Sequence, residues 1–313
     1  MPQMPRLHSP SCFSIRPRPM YKAAMERSST QRIGNWPESV TQSSGFSRLD
    51  AEPFPAFEPG WVWLVGAGPG APGLMSLLCY HALQSCDVVV YDALVNPDIL
   101  RWVKAGAELE YAGKRGGKPS PTQSDITLRL IDLARLGKRV LRLKGGDPFM
   151  FGRGGEECQH LAAAAIPFRI VPGITAGIGG LAYAGMQATH RDTNHSVLFL
   201  TGHDANGNMP ASVNWPAVSV ASPVIVMYMA VKHLGEIATA LLESGRPADD
   251  PVTILSNASM PHQEIASTTL GAAGAFVAAN DPPTPAIVVI GHAADWRSLL
   301  DWYKGPLREN PIG

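Results

Sequence analysis

The sequence predicts an α/β protein in which two α/β domains follow one another along the chain. Short continuous apolar runs alternate with longer segments of helical periodicity, a pattern typical of strands that helices cover on both faces. Many of these runs end in glycine or proline, the residues that most often end regular structure. A second series of runs begins after a join near residues 173–195, so two units are the economical architecture.

Each unit has its own predicted elements. The strands of the first are Trp61–Val65, Asp87–Tyr91, Glu108–Tyr111, Arg139–Leu143 and Phe168–Val171. Helices are predicted from about Gly73, over Thr122–Leu136 and over Gly155–Ala165. The strands of the second unit are Ser196–Thr201, Val224–Tyr228, Val252–Ser256, Ile265–Thr269 and Ala286–Ile290. Its predicted helices are Val231–Ser244 and Gly271–Ala279.

The predicted domain boundaries follow from this pattern. Residues 1–57 are rich in Ser, Pro, Arg and Gln and lack periodicity, so we expect a disordered N-terminal extension. An N-terminal α/β domain at 58–173 and a C-terminal α/β domain at 174–295 follow. Residues 296–313 form a C-terminal tail.

Composition excludes several functions. Lys+Arg and Asp+Glu are both 26, and this zero formal charge argues against a nucleic-acid partner. No run reaches the roughly 18 apolar residues that a membrane-spanning helix needs. The N-terminus lacks the apolar segment of a secretory signal, so we expect a cytoplasmic protein with reduced thiols. The four cysteines have no metal-ligand spacing, and no metal site is predicted.

A glycine-rich loop, Gly66–Gly70, follows the first strand and precedes a helix. It suggests a dinucleotide-binding loop, and Asp87 and Asp92 lie about 20 residues further on, where a ribose-binding acid belongs. However, Pro69 lacks the N–H that a pyrophosphate would require. A purely structural tight turn is the other interpretation of this loop.

Further glycine-bearing segments follow other strands. They are Lys144–Pro148, Val171–Ala176 and Thr201–His203. In an isolated Gly-Gly-Asp, the interpretation of Asp147 would be a helix cap. Several such loops together indicate a ligand cleft, because strand ends gather at one edge of an α/β sheet.

An ordered set of motifs resembles the tetrapyrrole methylase family over roughly residues 60–292. Its most specific piece is Arg142–Glu157. The others are Val65–Gly70, Tyr91–Val95, Gly113–Arg115, Val171–Ala176, Ala182–Gly185, Thr189–Asp192, Thr201–His203 and Tyr228-Met229. The resemblance implies two α/β domains of the tetrapyrrole methylase type, with S-adenosylmethionine in the cleft between them. It assigns cofactor contacts to Pro69, Gly145, Gly146, Asp147, Met150, Thr175, Ala176, Met229 and Ala258.

Within this family, the chain is most similar to the branch that methylates uroporphyrinogen III at C2 and C7 to give precorrin-2. The resemblance places Asp92 as the general base and Lys114 as a proton donor, and Arg153 could assist proton removal. Guanidinium groups pair with carboxylates, and uroporphyrinogen carries eight of them. The implied substrate contacts are Arg115, Arg153, Glu156 and Arg191. The resemblance also implies a homodimer.

Alternative functions stay open at this point. Another precorrin methylase, or the diphthine or rRNA branches of the same superfamily, would share most of these motifs. A nucleotide-binding oxidoreductase is the alternative from a different class. A non-catalytic homologue is the third, because Pro119 stands where the family usually has a histidine, and Ala71 and Ala230 also depart from its pattern.

Overall fold

A computed structural model of the chain describes residues 54–113, 123–204, 206–295 and 297–303. All of these residues belong to one compact unit that begins at Phe54. Two five-stranded sheets form its framework. No helix within the described ranges is both long and apolar enough to span a bilayer.

The first sheet is entirely parallel. Its strands are β1 (Val62–Gly66), β2 (Val88–Tyr91), β3 (Glu108–Tyr111), β4 (Val140–Lys144) and β5 (Phe168–Val171). They lie in the order β3-β2-β4-β1-β5, so β4 and β1 are central. Both central strands are buried along their whole length. This burial explains the apolar sequence of β1, whereas β4 also carries two charged residues, Arg142 and Lys144.

Helices connect these parallel strands. They are α1 (Leu77–Ser85), α2 (Pro97–Leu100), α3 (Gln123–Arg135) and α4 (Gly154–Ala163). Ser76 begins α1 as its N-cap, where the side chain accepts a hydrogen bond from Cys79 N–H at 3.1 Å. A glycine with a positive φ of 74°, Gly137, follows α3 and lets the chain turn back into β4.

The second sheet is mixed. Its strands are β6 (Val197–Thr201), β7 (Val224–Tyr228), β8 (Pro251–Ser256), β9 (Glu264–Thr269) and β10 (Ala286–Ile290). They lie in the order β6-β7-β10-β8-β9. Only β6 and β7 pair in parallel, and the other three pairings are antiparallel.

The helices of this half are α5 (Ala176–Tyr183), α6 (Trp215–Ala221), α7 (Leu234–Glu243), α8 (Ala273–Asn280) and α9 (Arg297–Leu300). Short 3-10 turns precede α7 and α8. Helix α5 packs on β7 and β10 and therefore belongs with the second sheet. Asn214 caps α6 by accepting a hydrogen bond from Ala217 N–H at 3.1 Å.

Apolar side chains cover both faces of each sheet. In the first sheet, Trp63 and Leu141 belong to one buried cluster, while Val62 and Leu64 belong to another on the opposite face. The second sheet likewise has two clusters, one of which contains Met227. Burial of this apolar surface is the main favourable contribution to folding.

The predicted elements agree closely with the structure. Each of the ten predicted strands forms, with its ends within one residue of the prediction. The helix predicted from Gly73 is wrong in its start, because a 3-10 turn at Pro72–Leu74 precedes α1. Helices α2, α5 and α6 were not predicted. The antiparallel pairing of the second sheet was not predicted either.

The folded unit extends beyond the expected domain ends. Residues 54–57 were assigned to the disordered extension. However, Phe57 is only 5% exposed, and its ring stacks on that of Trp63 with the ring centroids 4.4 Å apart. At the other end, Trp302 was assigned to the tail, yet its Nε1 donates to Ala182 O at 2.9 Å. The burial of Phe57 at one end, and the hydrogen bond and the ring contact of Trp302 with Tyr183 at the other, fix these segments to the unit.

The cysteines within the described ranges are consistent with reduced thiols. Cys79, Cys86 and Cys158 are buried and form no disulfide. Burial raises the pKa of the Cys79 and Cys86 thiols to about 12. These two thiols are therefore protonated and unreactive near neutral pH.

Truncation of one buried side chain on the central strand β4 tests how much this core contributes to stability. Leu141→Ala should lower the free energy of unfolding by about 2–5 kcal/mol, because the Leu141 side chain is 0% exposed. Leu128→Ala is the matched control on α3, where the side chain is 59% exposed, and should cost less than about 0.5 kcal/mol. Urea denaturation followed by circular dichroism measures both. Equal losses would contradict this assignment of the core.

Candidate active site

The loops after β1, β4 and β5 lie at one edge of the first sheet, where their backbones are in direct contact. The loops after β1 and β4 exchange two hydrogen bonds, Gly68 N–H to Gly146 O at 3.2 Å and Gly146 N–H to Gly68 O at 2.8 Å. A Cβ atom on Gly66 would lie 2.5 Å from Gly146 O and 2.6 Å from the Cα atom of Gly173. Glycine is required at this crossing, because a side chain would force the three loops apart.

A cleft of about 400 Å³ opens beside the crossing loops. Its volume is within the roughly 300–1,000 Å³ of small-molecule sites. Both sheets contribute to its wall, which includes Asp147 after β4 and Met229 after β7. All nine positions that the resemblance assigns to cofactor contact lie on this wall: Pro69, Gly145, Gly146, Asp147, Met150, Thr175, Ala176, Met229 and Ala258. The contacts themselves stay a prediction.

The loop after β1 is also held from the second sheet. Ala71 N–H donates to Ser259 Oγ at 3.0 Å, and a Cβ atom on Gly70 would lie 2.8 Å from Ala258 O. Asn96, which follows β2, donates from Nδ2 to Gly70 O at 2.9 Å. The position of this loop therefore depends on residues from both halves of the unit.

Asp147 connects two of the loops. Its Oδ2 accepts a hydrogen bond from Gly173 N–H at 3.0 Å, and its Oδ1 accepts one from Phe149 N–H at 2.8 Å. It does not cap α4, whose N-cap is Arg153, so the helix-cap interpretation of Asp147 is wrong. The carboxylate instead orders its own turn and the segment after β5.

Asp92 lies at the end of β2, and its side chain is 25% exposed on the cleft wall. Oδ1 accepts hydrogen bonds from Leu94 N–H at 3.0 Å and Gly145 N–H at 3.4 Å. Oδ2 is 3.9 Å from Arg142 Nη2. Among the residues that the structure describes, Oδ2 has no hydrogen bond, so this oxygen is the one available to accept a proton.

A buried cluster of charges lies beside Asp92. Arg142 and Lys144 are two residues apart on β4, so their side chains point to the same face of the sheet. There Glu157, on α4, accepts hydrogen bonds from Arg142 Nε and Lys144 Nζ, each at 3.2 Å. Burial lowers the pKa of Lys144, and the charge of Arg142 lowers it further. Pairing with Glu157 offsets part of the desolvation cost of both cations.

Tyr228, at the end of β7, contacts the segment that leads into α5. Its hydroxyl accepts a hydrogen bond from Gly177 N–H at 2.9 Å and lies 2.6 Å from Thr175 Oγ1. Burial raises the pKa of Tyr228. A Cβ atom on Gly177 would lie 2.3 Å from this hydroxyl oxygen, so glycine is needed for the contact. Tyr228 thereby fixes two of the predicted cofactor contacts, Thr175 and Ala176, on the cleft wall.

Comparison with known proteins agrees with this geometry. The family model for Tetrapyrrole (Corrin/Porphyrin) Methylases matches residues 62–274, which include strands β1 to β9 and end at the start of α8. The chain belongs to the tetrapyrrole methylases. This membership removes the nucleotide-binding oxidoreductase that the sequence left open.

Two tetrapyrrole methylase relatives are similar in sequence. A uroporphyrinogen-III C-methyltransferase from Sinorhizobium sp is 60% identical over 248 residues, which is 79% of this chain and 89% of that protein. A siroheme synthase from Zymomonas mobilis is 44% identical over 248 residues, 78% of this chain. The chain spans about half the length of that relative, 51%.

Solved tetrapyrrole methylase structures share the fold. A uroporphyrin-III C-methyltransferase from Thermus thermophilus, complexed with S-adenyl homocysteine, matches with a TM-score of 0.65 and 33% identity. The match covers 75% of this chain and 98% of that one. A cobalt precorrin-4 methyltransferase matches with a TM-score of 0.65 and 26% identity, over 74% of this chain and 95% of that one. The fold expected from the resemblance, two α/β domains of the tetrapyrrole methylase type, is confirmed.

The three predicted substrate contacts that the structure describes do not line the cleft. Arg153 and Glu156 form an exposed pair, with Nη2 and Oε2 2.6 Å apart and side chains 56% and 51% exposed. Neither lines the cleft, and the exposed Arg191 does not line it either. Lys114 and Arg115 lie outside the described residues. The roles given to these five residues stay predictions.

Some side chains that shape this site had no role predicted from the motifs. Lys144, Arg142 and Glu157 appeared only as parts of a motif, although two cations in a buried central strand are an unusual signal. Tyr228 likewise appeared only beside Met229. Its contact with Thr175 joins residues 53 positions apart, and no local pattern predicts that contact.

Adding a methyl group at the loop crossing tests its tight packing. A Cβ atom on Gly173 would lie 2.2 Å from Gly146 O, so Gly173→Ala should lower the free energy of unfolding by about 1–3 kcal/mol. Gly155→Ala is the matched control on α4, because no atom lies within 4 Å of its added Cβ. It should be neutral or stabilise by up to about 1 kcal/mol. Urea denaturation measures both, and a neutral Gly173→Ala would contradict the packing.

Proposed function

We propose that this chain methylates uroporphyrinogen III at C2 and C7, with S-adenosylmethionine as methyl donor. The products are precorrin-2 and two molecules of S-adenosylhomocysteine. The cleft carries the proposal, because it brings every predicted cofactor contact together with Asp92 on one wall. The relative that is 60% identical and the Thermus structure that holds S-adenyl homocysteine support the same reaction.

The residues present fit S-adenosylmethionine. Apolar side chains such as Val231, Leu255 and Ile287 suit the flat adenine base. Two carboxylates, Asp92 and Asp147, and two lysines, Lys144 and Lys232, line the cleft, so charges of both signs are available to a ligand that carries ammonium, sulfonium and carboxylate groups. When bound, S-adenosylmethionine supplies a methyl group activated by its sulfonium. The nine predicted contacts would hold it: Pro69, Gly145, Gly146, Asp147, Met150, Thr175, Ala176, Met229 and Ala258.

Asp92 accepts the proton that the tetrapyrrole loses after a ring carbon has been methylated. Its Oδ1 is held by the N–H groups of Leu94 and Gly145, so the carboxylate has a fixed orientation. Its Oδ2 accepts the proton. Holding the base in position in this way supplies a large part of the rate enhancement. Lys114 is the proposed proton donor to the product.

Arginines bind the acidic substrate. The Arg153 guanidinium is more than half exposed at the start of α4, so it can exchange its Glu156 partner for a substrate carboxylate. Arg115 and Arg191 contribute further carboxylate contacts, and Arg153 assists proton removal.

The proposal extends to assembly and location. The protein is a homodimer in the cytoplasm, and it acts on a small molecule rather than on nucleic acid or at a membrane. The balance of 26 basic and 26 acidic residues supports the absence of a polyanionic partner. Size-exclusion chromatography with light scattering measures the dimer.

A direct assay tests the reaction. Incubation with uroporphyrinogen III and radiolabelled S-adenosylmethionine should transfer two methyl groups to each tetrapyrrole, which mass spectrometry of the pigment counts. Transfer to a later precorrin but not to uroporphyrinogen III would instead identify another branch of the family. Binding of S-adenosylhomocysteine without any transfer would identify a non-catalytic homologue.

Substitution of the proposed base tests its role. Asp92→Asn should retain binding of S-adenosylhomocysteine but lower kcat by roughly 10²-fold or more, because the amide cannot accept the proton. Calorimetry measures the binding, and initial rates of radiolabel transfer measure kcat. Asp132→Asn, an exposed position on α3, is the matched control and should leave kcat unchanged. Unchanged turnover in Asp92→Asn would remove Asp92 from the mechanism.

A further inference from the structure

Two adjacent glutamates in the first turn of α4 have different surroundings. Glu156 is exposed and pairs with Arg153. Glu157 is 0% exposed, and its Oε1 accepts hydrogen bonds from Arg142 Nε and Lys144 Nζ at 3.2 Å each. Neither the predicted cofactor contacts nor the proton transfer uses Glu157. A buried carboxylate this close to an active-site cleft calls for an explanation, because burial of a charge is costly.

Arg142 connects Glu157 to the proposed base. Its Nε donates to Glu157, and its Nη1 donates to the carbonyl oxygens of Val90 at 3.3 Å and Leu143 at 3.4 Å. Its Nη2 is 3.9 Å from Asp92 Oδ2. Each nitrogen of the guanidinium thus has a different partner. Because the guanidinium is planar and rigid, fixing Nε and Nη1 also fixes Nη2.

The charges of this group balance. Arg142 and Lys144 are cationic, and Glu157 and Asp92 are anionic, so the four charges sum to zero. Three of the four side chains are at most 5% exposed. Without the charge of Glu157, two buried cations would share Asp92 as their nearest carboxylate. The guanidinium would then lose its fixed orientation and draw the Asp92 carboxylate away from the cleft.

We infer that Glu157 is a positioning residue for methyl transfer, because it fixes the Arg142 guanidinium that holds the Asp92 carboxylate at the cleft. The inference rests on the proposed function, in which Asp92 is the proton acceptor. Glu157 itself does not line the cleft, so it acts through Arg142.

A double-mutant cycle tests this inference. Glu157→Gln keeps the shape of the side chain and removes its charge, and should lower kcat by roughly 10- to 100-fold through misplacement of the base. In the Asp92→Asn background the same substitution should change kcat by less than about twofold, because the group through which it acts is gone. Calorimetric affinity for S-adenosylhomocysteine should stay within about twofold of wild type in all variants.

The controls separate positioning from a merely structural role. Glu243→Gln repeats the substitution at an exposed site on α7 and should leave kcat unchanged. Arg142→Lys keeps the charge but loses the fork geometry, so it should behave like Glu157→Gln in the same cycle. If Glu157→Gln does not fold, Arg142→Lys replaces it in the cycle.

The outcomes are distinguishable. Equal losses in both backgrounds, or weakened cofactor binding, would overturn the inference alone, because a structural defect acts whether or not Asp92 is present. Absence of methyl transfer by the wild-type protein would overturn the proposed function and this inference with it. Non-additive losses with intact cofactor binding would support both.

Discussion

The structure depends on three backbones that approach so closely that only glycine fits between them. Gly66, Gly146 and Gly173 end or follow adjacent parallel strands, and a Cβ atom on Gly66 or on Gly173 would overlap with a neighbouring loop. This contact aligns the loops after β1, β4 and β5 on one edge. The cleft and the predicted cofactor contacts on its wall follow from that alignment. The fold therefore positions the site through backbone, and side chains add the chemistry.

A second constraint is electrostatic. The central strand β4 carries Arg142 and Lys144 into the protein interior, where charged side chains are rare. Glu157 and Asp92 balance them, so the cost of burial also orders the groups at the cleft. Buried charges that pair with one another favour one arrangement, since a rotation that breaks a pair separates a charge from its partner. Tetrapyrrole methylation by this chain, as proposed, requires a base in a fixed place, and such a network provides it.

Much of the fold could be predicted from the sequence, because buried strands are continuous apolar runs bounded by glycine or proline. The motifs also predicted the nine proposed cofactor contacts that lie on the cleft wall. What local pattern cannot show is which partner a side chain finds. Glu156 and Glu157 are adjacent and chemically identical, yet a helical step of about 100° turns one to solvent and the other to the core. The antiparallel pairing of the second sheet was missed for a similar reason, because strand sequences do not encode their neighbours.

The loop after β1 forms hydrogen bonds with Ser259, which follows β8 of the second sheet, and with Asn96, which follows β2 of the first. Because this loop borders the cleft, a molecule held there touches parts of both sheets at once. Its binding energy then adds to the cohesion of the whole unit rather than to one half. A ligand present at a concentration of 100 times its dissociation constant raises the free energy of unfolding by about 2.7 kcal/mol. The two halves should consequently unfold together when the cleft is filled, and the methylase should resist proteolysis best while a ligand is bound.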